Sequence, residues 1–187
     1  MDNNTYVPSM TKLSRFLCLI LRHKPDVIGI ELDIHGWADV NELLEGVTKY
    51  REPISRERLE WIVKNDEKTR YSFSEDGTKI RANQGHSVYV EVEMDEMQPP
   101  EFLWHGTSEN NAASIEESGL NPGTRLFVHL SADIQTAMQV GRRKRGKTLV
   151  YRVRSGDMAR DGFVFWRSAN GVWQSKYVPA AYLERQE

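Results

Sequence analysis

The apolar residues of this chain change their spacing near residue 70, from the period of a helix to the period of a strand. Between residues 12 and 64 they recur every three or four positions, which predicts three helices with one buried face each. From Arg70 to Arg81 apolar and polar residues alternate around Asp76-Gly77, which predicts a hairpin. Three helices followed by a hairpin are typical of a winged-helix module, although that fold alone does not establish a function.

The helix boundaries are predicted from capping residues. Ser9 or Thr11 is expected to cap the first helix and Pro25 to end it, Asp39 starts the second helix with Glu42 in the capping-box position, and the third begins near Ser55. The predicted buried faces consist of Leu13, Phe16, Leu17, Ile20, Leu21, Val40, Leu43, Leu44, Val47, Leu59, Ile62 and Val63.

The second half of the chain is predicted to be rich in strands. A strand is expected at residues 88–92, and the acidic segment 93–101, which ends in Pro99-Pro100, is interpreted as a linker between domains 1–93 and 94–187. A short helix is expected between Ser108 and Gly119, and another through Ala137 and Val140. The predicted strands are 102–105, 126–130 and 148–153, with a hairpin formed by 163–166 and 172–174.

Charge and cysteine content exclude several classes of protein. Residues 1–93 carry a net charge of −3 and residues 94–187 of +1, so neither half is a basic nucleic-acid coat, and any RNA contact needs a local cluster. The single cysteine, Cys18, excludes an internal disulfide and a multi-cysteine zinc site, and it is predicted to be a buried thiol. There is no signal-peptide pattern and no apolar run long enough to cross a membrane, so we expect a cytoplasmic protein.

Four short features at the predicted ends of elements could carry chemistry. Each also has an ordinary interpretation, as a solvated helix end, an exposed strand-end arginine or a turn glycine beside a half-buried histidine. Their combination favours a phosphate site, because arginine is a permanent cation that binds phosphate in a bidentate manner. The chain has neither a dinucleotide-binding glycine fingerprint nor a P-loop motif, which argues against those two folds. The four features are Arg22-His23, Arg70, His105-Gly106-Thr107, and Arg125 with Val128-His129-Leu130-Ser131.

These motifs, taken together and in order, resemble those of the RNA 2′-phosphotransferases, an RNA-repair family whose best-known members finish tRNA splicing. The similarity extends from about residue 12 to Tyr182 and includes the segments 70–72, 81–87, 104–107 and 128–131. It implies an α+β fold, with an N-terminal winged-helix RNA-binding lobe at residues 1–93. A C-terminal ADP-ribosyltransferase-like lobe with a split β-sheet, which binds NAD⁺, is implied at residues 94–187.

The resemblance also assigns roles to residues. It implies a catalytic tetrad of Arg22, His23, Arg70 and Arg125. It implies NAD⁺ contacts from His105, Gly106, Thr107, His129 and Ser131, and no metal. The basic segment 141–147 is longer than the family pattern, so no single NAD⁺-contacting arginine is chosen among residues 142–145; a solvated loop is the alternative.

The reaction that the resemblance implies has two steps. The RNA 2′-phosphate displaces nicotinamide from NAD⁺, which gives RNA-2′-phospho-ADP-ribose. The ribose 2″-hydroxyl then attacks the phosphorus and releases RNA 2′-OH and ADP-ribose 1″,2″-cyclic phosphate. Three arginines would hold the phosphate, and His23 would orient or protonate an oxygen. Residues 172–179 lack the late glutamate of protein-modifying ADP-ribosyltransferases, and an anionic acceptor needs no such base.

Two alternatives remain at this point. One is transfer of ADP-ribose to nucleic-acid phosphate ends or to protein, without phosphate transfer. The other is a non-enzymatic winged-helix regulator that senses a nucleotide. We expect RNA with an internal 2′-phosphate and NAD⁺ as partners, with no membrane contact and a monomeric protein.

Overall fold

A computed structural model describes the backbone of residues 7–91 and 94–186, and the side chains from residue 12 onward within those ranges. The chain divides into two compact units, Met1–Glu93 and Met94–Glu187, and each is described by itself. Both mix helices with antiparallel strands, so the predicted α+β class is confirmed. No helix in the described ranges is long and apolar enough to cross a membrane.

The first unit contains the three predicted helices, α1 (Val7–Arg22), α2 (Val40–Tyr50) and α3 (Arg56–Lys64). Asp39 caps α2 by accepting hydrogen bonds from the backbone of Asn41 and Glu42, and Ser55 caps α3. The prediction for the start of α1 was wrong, because the helix begins at Val7 and both Ser9 and Thr11 lie inside it.

A three-stranded antiparallel sheet completes the first unit. Its strands are β1 (Trp37–Asp39), β2 (Tyr71–Phe73) and β3 (Lys79–Ala82), in the order β1-β3-β2. The predicted hairpin is the β2–β3 pair, and Gly77 takes a φ of +70° in its turn. The sequence did not predict β1, because three residues with one buried side chain give no readable alternation.

The core of the first unit lies between α1, the other helices and the sheet. The five predicted residues of α1 are all buried, whereas Leu44 and Val63 are only partly buried. Cys18 is half-buried rather than fully buried, and its sulfur lies 2.9 Å from the Tyr71 hydroxyl oxygen.

The predicted strand at 88–92 is wrong over residues 88–91, and residue 92 lies outside the described residues. The backbone there makes single hydrogen bonds to separate segments. The Val88 nitrogen donates to the Arg22 carbonyl at 3.4 Å, and the Glu91 nitrogen to the Ile34 carbonyl at 2.6 Å. An alternating apolar pattern therefore does not form a ladder here, because no single neighbouring strand accompanies it.

The second unit is built from short strands and three helices. Its strands are β4 (Asp95–Glu96), β5 (Leu103–Ser108), β6 (Val128–Leu130), β7 (Thr148–Val153), β8 (Trp166–Arg167), β9 (Trp173–Ser175) and β10 (Leu183–Gln186). Its helices are α4 (Ala112–Ser118), α5 (Ile134–Gly141) and α6 (Ser155–Arg160). Short 3₁₀ turns occur at Pro25–Ile28 in the first unit, and at Glu109–Asn111 and Ala180–Tyr182 in the second.

The strands of the second unit form two antiparallel sheets, β10-β7-β5 and β4-β8-β9-β6. The sheets meet at one bridge between Trp104 and Ser131, whose two backbone hydrogen bonds measure 2.9 and 2.7 Å. The bridge brings the N-terminal half of β5, which includes His105, beside the end of β6, which includes His129.

Several boundaries in the second unit differ from the predictions. The segment 93–101 is not a simple linker, because β4 pairs with β8 and the Pro100 carbonyl accepts a hydrogen bond from Ser155. Residues 163–165 do not form a strand. Phe165 is buried in the core of the second unit. The sequence missed α6 and β10. The Gly119 cap of α4 is confirmed, whereas Ser108 caps the 3₁₀ turn Glu109–Asn111 that precedes α4 rather than the helix itself.

Candidate functional site

The end of α1 presents a half-buried guanidinium for which the described residues provide no carboxylate partner. Arg22 is the last residue of α1, and its Nε and Nη2 atoms are buried with no hydrogen-bond partner in the described part of the chain. A guanidinium cannot shed its charge, and buried donors without acceptors are costly. The arrangement therefore provides donors that an anionic group would satisfy.

His23 follows Arg22 and is held through one ring nitrogen. Its Nδ1 lies 2.9 Å from the Ser87 hydroxyl oxygen, across 64 residues of sequence. This contact fixes the orientation of the His23 ring at the end of α1.

His86 is the third group of this cluster, and the sequence analysis did not single it out. Only 2% of its surface is exposed. Burial, followed by the positive charges of Arg22, His23 and Arg81, lowers the pKa of His86 to about 4. His86 is therefore neutral near pH 7 and adds no charge beside Arg22.

Arg70 makes a different set of contacts. Its guanidinium forms an ion pair with Asp66, whose carboxylate also accepts the Arg70 backbone N–H at 2.5 Å. Arg70 lines a cavity of about 540 Å³ together with Ser14, Arg15, Cys18, Trp61, Ile62, Asn65, Asp66, Glu67 and Lys68. Neither Arg22 nor His23 lines that cavity. Within the first unit, Arg22 and His23 therefore lie together at the end of α1, whereas Arg70 lines a cavity of its own and is paired with Asp66.

In the second unit, two of the predicted histidines are joined where β5 and β6 meet. His105 Nδ1 lies 3.0 Å from the His129 carbonyl oxygen, and since a carbonyl only accepts, Nδ1–H is the donor. Burial lowers the pKa of His105 to about 4, with smaller contributions from Lys144 and Arg125. The His105 side chain is itself partly exposed.

Arg125 reaches the other histidine. Its Nη1 lies 3.2 Å from His129 Nδ1, and because a guanidinium only donates, that nitrogen must be unprotonated. In this contact His129 is a neutral ring whose proton is on Nε2.

Thr107 collects two donors at the buried end of β5. Its side chain is fully buried, and its Oγ1 accepts from Asn111 Nδ2 at 3.0 Å and from Lys144 Nζ at 3.3 Å. Burial and the charge of Arg125 lower the pKa of Lys144. From the basic segment, Lys144 reaches the predicted site at Thr107. The sequence analysis considered only the arginines of that segment.

The packing of the second unit requires a glycine at position 106, which the sequence did not show. An ideal Cβ at this position would overlap the Ala137 carbonyl oxygen and lie 2.9 Å from the Gly141 nitrogen. The absence of a side chain allows α5 to pack directly on β5. A larger residue at position 106 is therefore incompatible with this packing, and Ser131 likewise has a structural role through its bridge to Trp104.

The lowered pKa of His86 predicts a pH dependence of stability. A histidine whose folded pKa is below its unfolded pKa stabilises the fold above the unfolded value, and this stability is lost as pH falls toward the folded value. We expect the free energy of unfolding to decrease by up to about 3 kcal/mol between pH 6.5 and 4 from this group, with a smaller share from His105. Denaturant unfolding at several pH values checks this, and His86→Asn should flatten the profile; an equally steep profile in that variant contradicts it.

The described residues contain no cluster of three or more His, Cys, Asp or Glu side chains placed to hold a metal ion. The two units thus present separate groups of candidate residues. Arg22 and His23, with His86, lie together in the first unit. His105, Thr107, Arg125 and His129, with Lys144, lie together in the second.

Comparison with known proteins gives a consistent result. The family model described as RNA 2′-phosphotransferase, Tpt1/KptA family, matches residues 8–177. The chain is 49% identical over 172 residues to a probable RNA 2′-phosphotransferase of Flavobacterium johnsoniae, covering 92% of this chain and 94% of the relative. It is 44% identical over 184 residues to a protein of the same description from Fusobacterium nucleatum, covering 98% and 99%. It is 45% identical over 176 residues to a third such protein, from Nostoc punctiforme, covering 94% of this chain and 97% of the relative.

Proposed function

Since the chain belongs to the Tpt1/KptA family of RNA 2′-phosphotransferases, we propose that it removes an internal 2′-phosphate from RNA with NAD⁺ as co-substrate. The phosphate is transferred to ADP-ribose through RNA-2′-phospho-ADP-ribose. The products are RNA 2′-OH, nicotinamide and ADP-ribose 1″,2″-cyclic phosphate. The proposal assigns a winged-helix fold and RNA binding to residues 1–93, and an ADP-ribosyltransferase-like fold and NAD⁺ binding to residues 94–187.

The observation that carries this proposal is the Arg22 guanidinium, with two buried N–H groups that have no acceptor among the described residues. A phosphate oxygen is the acceptor that matches such a cation in both charge and geometry. Arg22 also precedes His23, whose ring can exchange a proton at neutral pH through the nitrogen that Ser87 does not engage.

The residues of the second unit fit a dinucleotide. Arg125 and Lys144 place two cations near the ends of β5 and β6, and after burial, the larger cause, repulsion by Arg125 lowers the pKa of Lys144. A pyrophosphate bound there would relieve that repulsion. Neutral His129 carries its proton on Nε2, and neutral His105, whose Nδ1–H is given to the His129 carbonyl, presents Nε2 as an acceptor; neither ring adds charge.

The roles proposed for this chain's own residues are those that the family resemblance implies. Arg22, Arg70 and Arg125 bind and orient the phosphate and stabilise the charge that develops on its oxygens. To bind the phosphate, Arg70 has either to leave its ion pair with Asp66 or to bind the phosphate while it keeps that pair. His23 holds or moves a proton at Nε2. NAD⁺ supplies the ribose carbon and hydroxyl that receive the phosphate.

The test is incubation of the protein with a short RNA that bears one internal 2′-phosphate, with and without NAD⁺. We expect loss of the 2′-phosphate only with NAD⁺, together with nicotinamide and the cyclic phosphate. ADP-ribosylated RNA as the end product, without the cyclic phosphate, would instead identify an ADP-ribosyltransferase. No release of nicotinamide would contradict an enzymatic function.

Arg22→Lys and Arg22→Ala test the observation that carries the proposal. Lysine keeps the charge but lacks the planar fork, so both variants should lose affinity for the phosphorylated RNA, and alanine more than lysine. The same RNA without the 2′-phosphate serves as the control ligand. Equal binding of the two RNAs by the parent protein would argue against a phosphate site at Arg22.

A further inference from the structure

We propose that Ser87 and His86 are positioning residues for the reaction, because residues 85–88 form a clamp that fixes Arg22 and His23 at the end of α1. This inference rests on the proposed function only for its effect on catalysis. The clamp itself is a feature of the first unit, and it can be tested without RNA or NAD⁺.

The backbone of the clamp pairs with the free end of the helix. The last four carbonyls of an α-helix have no partner within the helix, and helix ends fray when nothing holds them. Here the Ser87 nitrogen donates to the Arg22 carbonyl at 2.9 Å. The Leu21 carbonyl acts as a backbone acceptor toward the His86 imidazole and raises its pKa slightly against the larger effect of burial. Two consecutive residues of the clamp therefore meet two consecutive carbonyls of α1, and Ser87 fixes the last of them.

The side chain of Ser87 extends the clamp to His23. Its hydroxyl lies 2.9 Å from His23 Nδ1. A hydroxyl can donate to the neutral ring and accept from the protonated ring. Ser87 therefore holds the same ring orientation before and after a proton transfer at Nε2, which a fixed donor or a fixed acceptor would not do.

Gly85 lets the clamp pass beside Arg22. Its φ of +91° is in the region that L side chains rarely adopt, and an ideal Cβ there would lie 3.5 Å from Arg22 Nη1. The segment thus turns next to the guanidinium without a side chain between them.

His86 lies at the Leu21 carbonyl without adding positive charge. The groups that act on it are Arg22 and His23 at the end of α1 and Arg81 of β3, all of them basic, and with burial they keep its pKa low. A lysine or a protonated histidine in its place would add to the repulsion around Arg22. A neutral N–H donor is therefore the suitable group at this position.

The first experiment compares Ser87→Ala with Ser87→Thr. Both keep the backbone N–H that binds the Arg22 carbonyl, but only threonine keeps a hydroxyl. We expect Ser87→Ala to lower kcat by about 10- to 30-fold, the range for loss of one hydrogen bond to a charged group, with little change in KM for RNA. Ser87→Thr should stay within about threefold of the parent. A full kcat in Ser87→Ala, or an equal loss in both variants, would overturn the role of the hydroxyl.

A second measurement reads His23 directly, without RNA or NAD⁺. The nitrogen chemical shifts of the His23 ring should change in Ser87→Ala and not in Ser87→Thr, because they report hydrogen bonding and tautomer. If these shifts change as expected while the parent protein leaves 2′-phosphorylated RNA untouched, the clamp stands and the proposed function fails. If the parent is active and the shifts do not change, the clamp fails and the proposed function stands.

The third experiment tests His86. Asparagine presents an amide N–H close to the position of the imidazole Nδ1–H, whereas leucine fills similar space without a donor. We expect His86→Leu to lower kcat by about tenfold and to shift the Arg22 and His23 amide resonances. In His86→Asn we expect a smaller loss of kcat and smaller shifts of the same resonances. A thermal unfolding curve recorded for each variant separates a positioning role from loss of the fold. Equal kcat in a folded His86→Leu variant would overturn this part of the proposal.

Discussion

Replacement of His23 by alanine is expected to stop the reaction after its first step, so that RNA-2′-phospho-ADP-ribose accumulates. In the first step the leaving nicotinamide is already activated and the attacking phosphate is anionic, so little proton transfer is needed. In the second step a hydroxyl attacks a phosphodiester, which requires a proton relay and stabilisation of charge. A positioned acid or base contributes about 10²–10³-fold, so the second step should slow by that factor.

Gel analysis of radiolabelled RNA resolves substrate, intermediate and product. Lys24→Ala is the matched control, because Lys24 is the next residue, is exposed and is also basic. It should process RNA like the parent. Arg70→Ala should also accumulate the intermediate, and its fold has to be checked because Asp66 loses its partner. If the His23 and Arg70 variants both stall at unreacted RNA, the roles assigned to them are wrong even if the overall reaction is right.

Gly106→Val is expected to destabilise the second unit strongly, by about 3 kcal/mol or more, with or without NAD⁺. Its side chain would overlap the backbone of α5 at Ala137, and backbone cannot move aside as the end of a flexible side chain can. The expected results are a lower unfolding temperature of the unliganded protein and loss of the ordered packing between α5 and β5.

Gly123→Ala is the control for this change. Gly123 has a positive φ, but no atom lies within 4 Å of an added Cβ, so its substitution costs only the backbone strain of about 1–2 kcal/mol. Gly141→Ala should behave like Gly106→Val, because a Cβ there meets Thr148 and the Thr107 backbone from the other side of the same contact. An unchanged unfolding temperature in Gly106→Val, together with weaker NAD⁺ binding, would return Gly106 to the role of a cofactor contact.

Local patterns were enough to predict much of the fold. The three helices of the first unit, the hairpin at Gly77 and the strand at Thr148–Val153 follow from hydrophobic period and turn chemistry, which act over a few residues. Elements of two or three residues, such as β1 and β4, carry too few positions for a period. The alternation at 88–91 did not produce a strand, because a strand also needs a partner that the local sequence does not specify.

The candidate residues divide in the same way. Residue type and motif order determined the family and the set Arg22, His23, Arg70 and Arg125. Only the contacts between residues far apart in sequence show that Ser87 binds His23 and that Lys144 binds Thr107. They also assigned Gly106 to the packing of α5, a function that a glycine in a strand pattern cannot reveal by itself.

The sequence by itself determined where helices and strands begin to form and which side chains have the charge for phosphate chemistry, since both are properties of short segments and of residue type. Only the tertiary structure decided which backbone groups those side chains meet. Burial at His86 and the neighbouring cations determine its charge, and the clamp at 85–88 determines the direction of His23. Both effects depend on distances between segments about 60 residues apart in the chain, which no local pattern specifies.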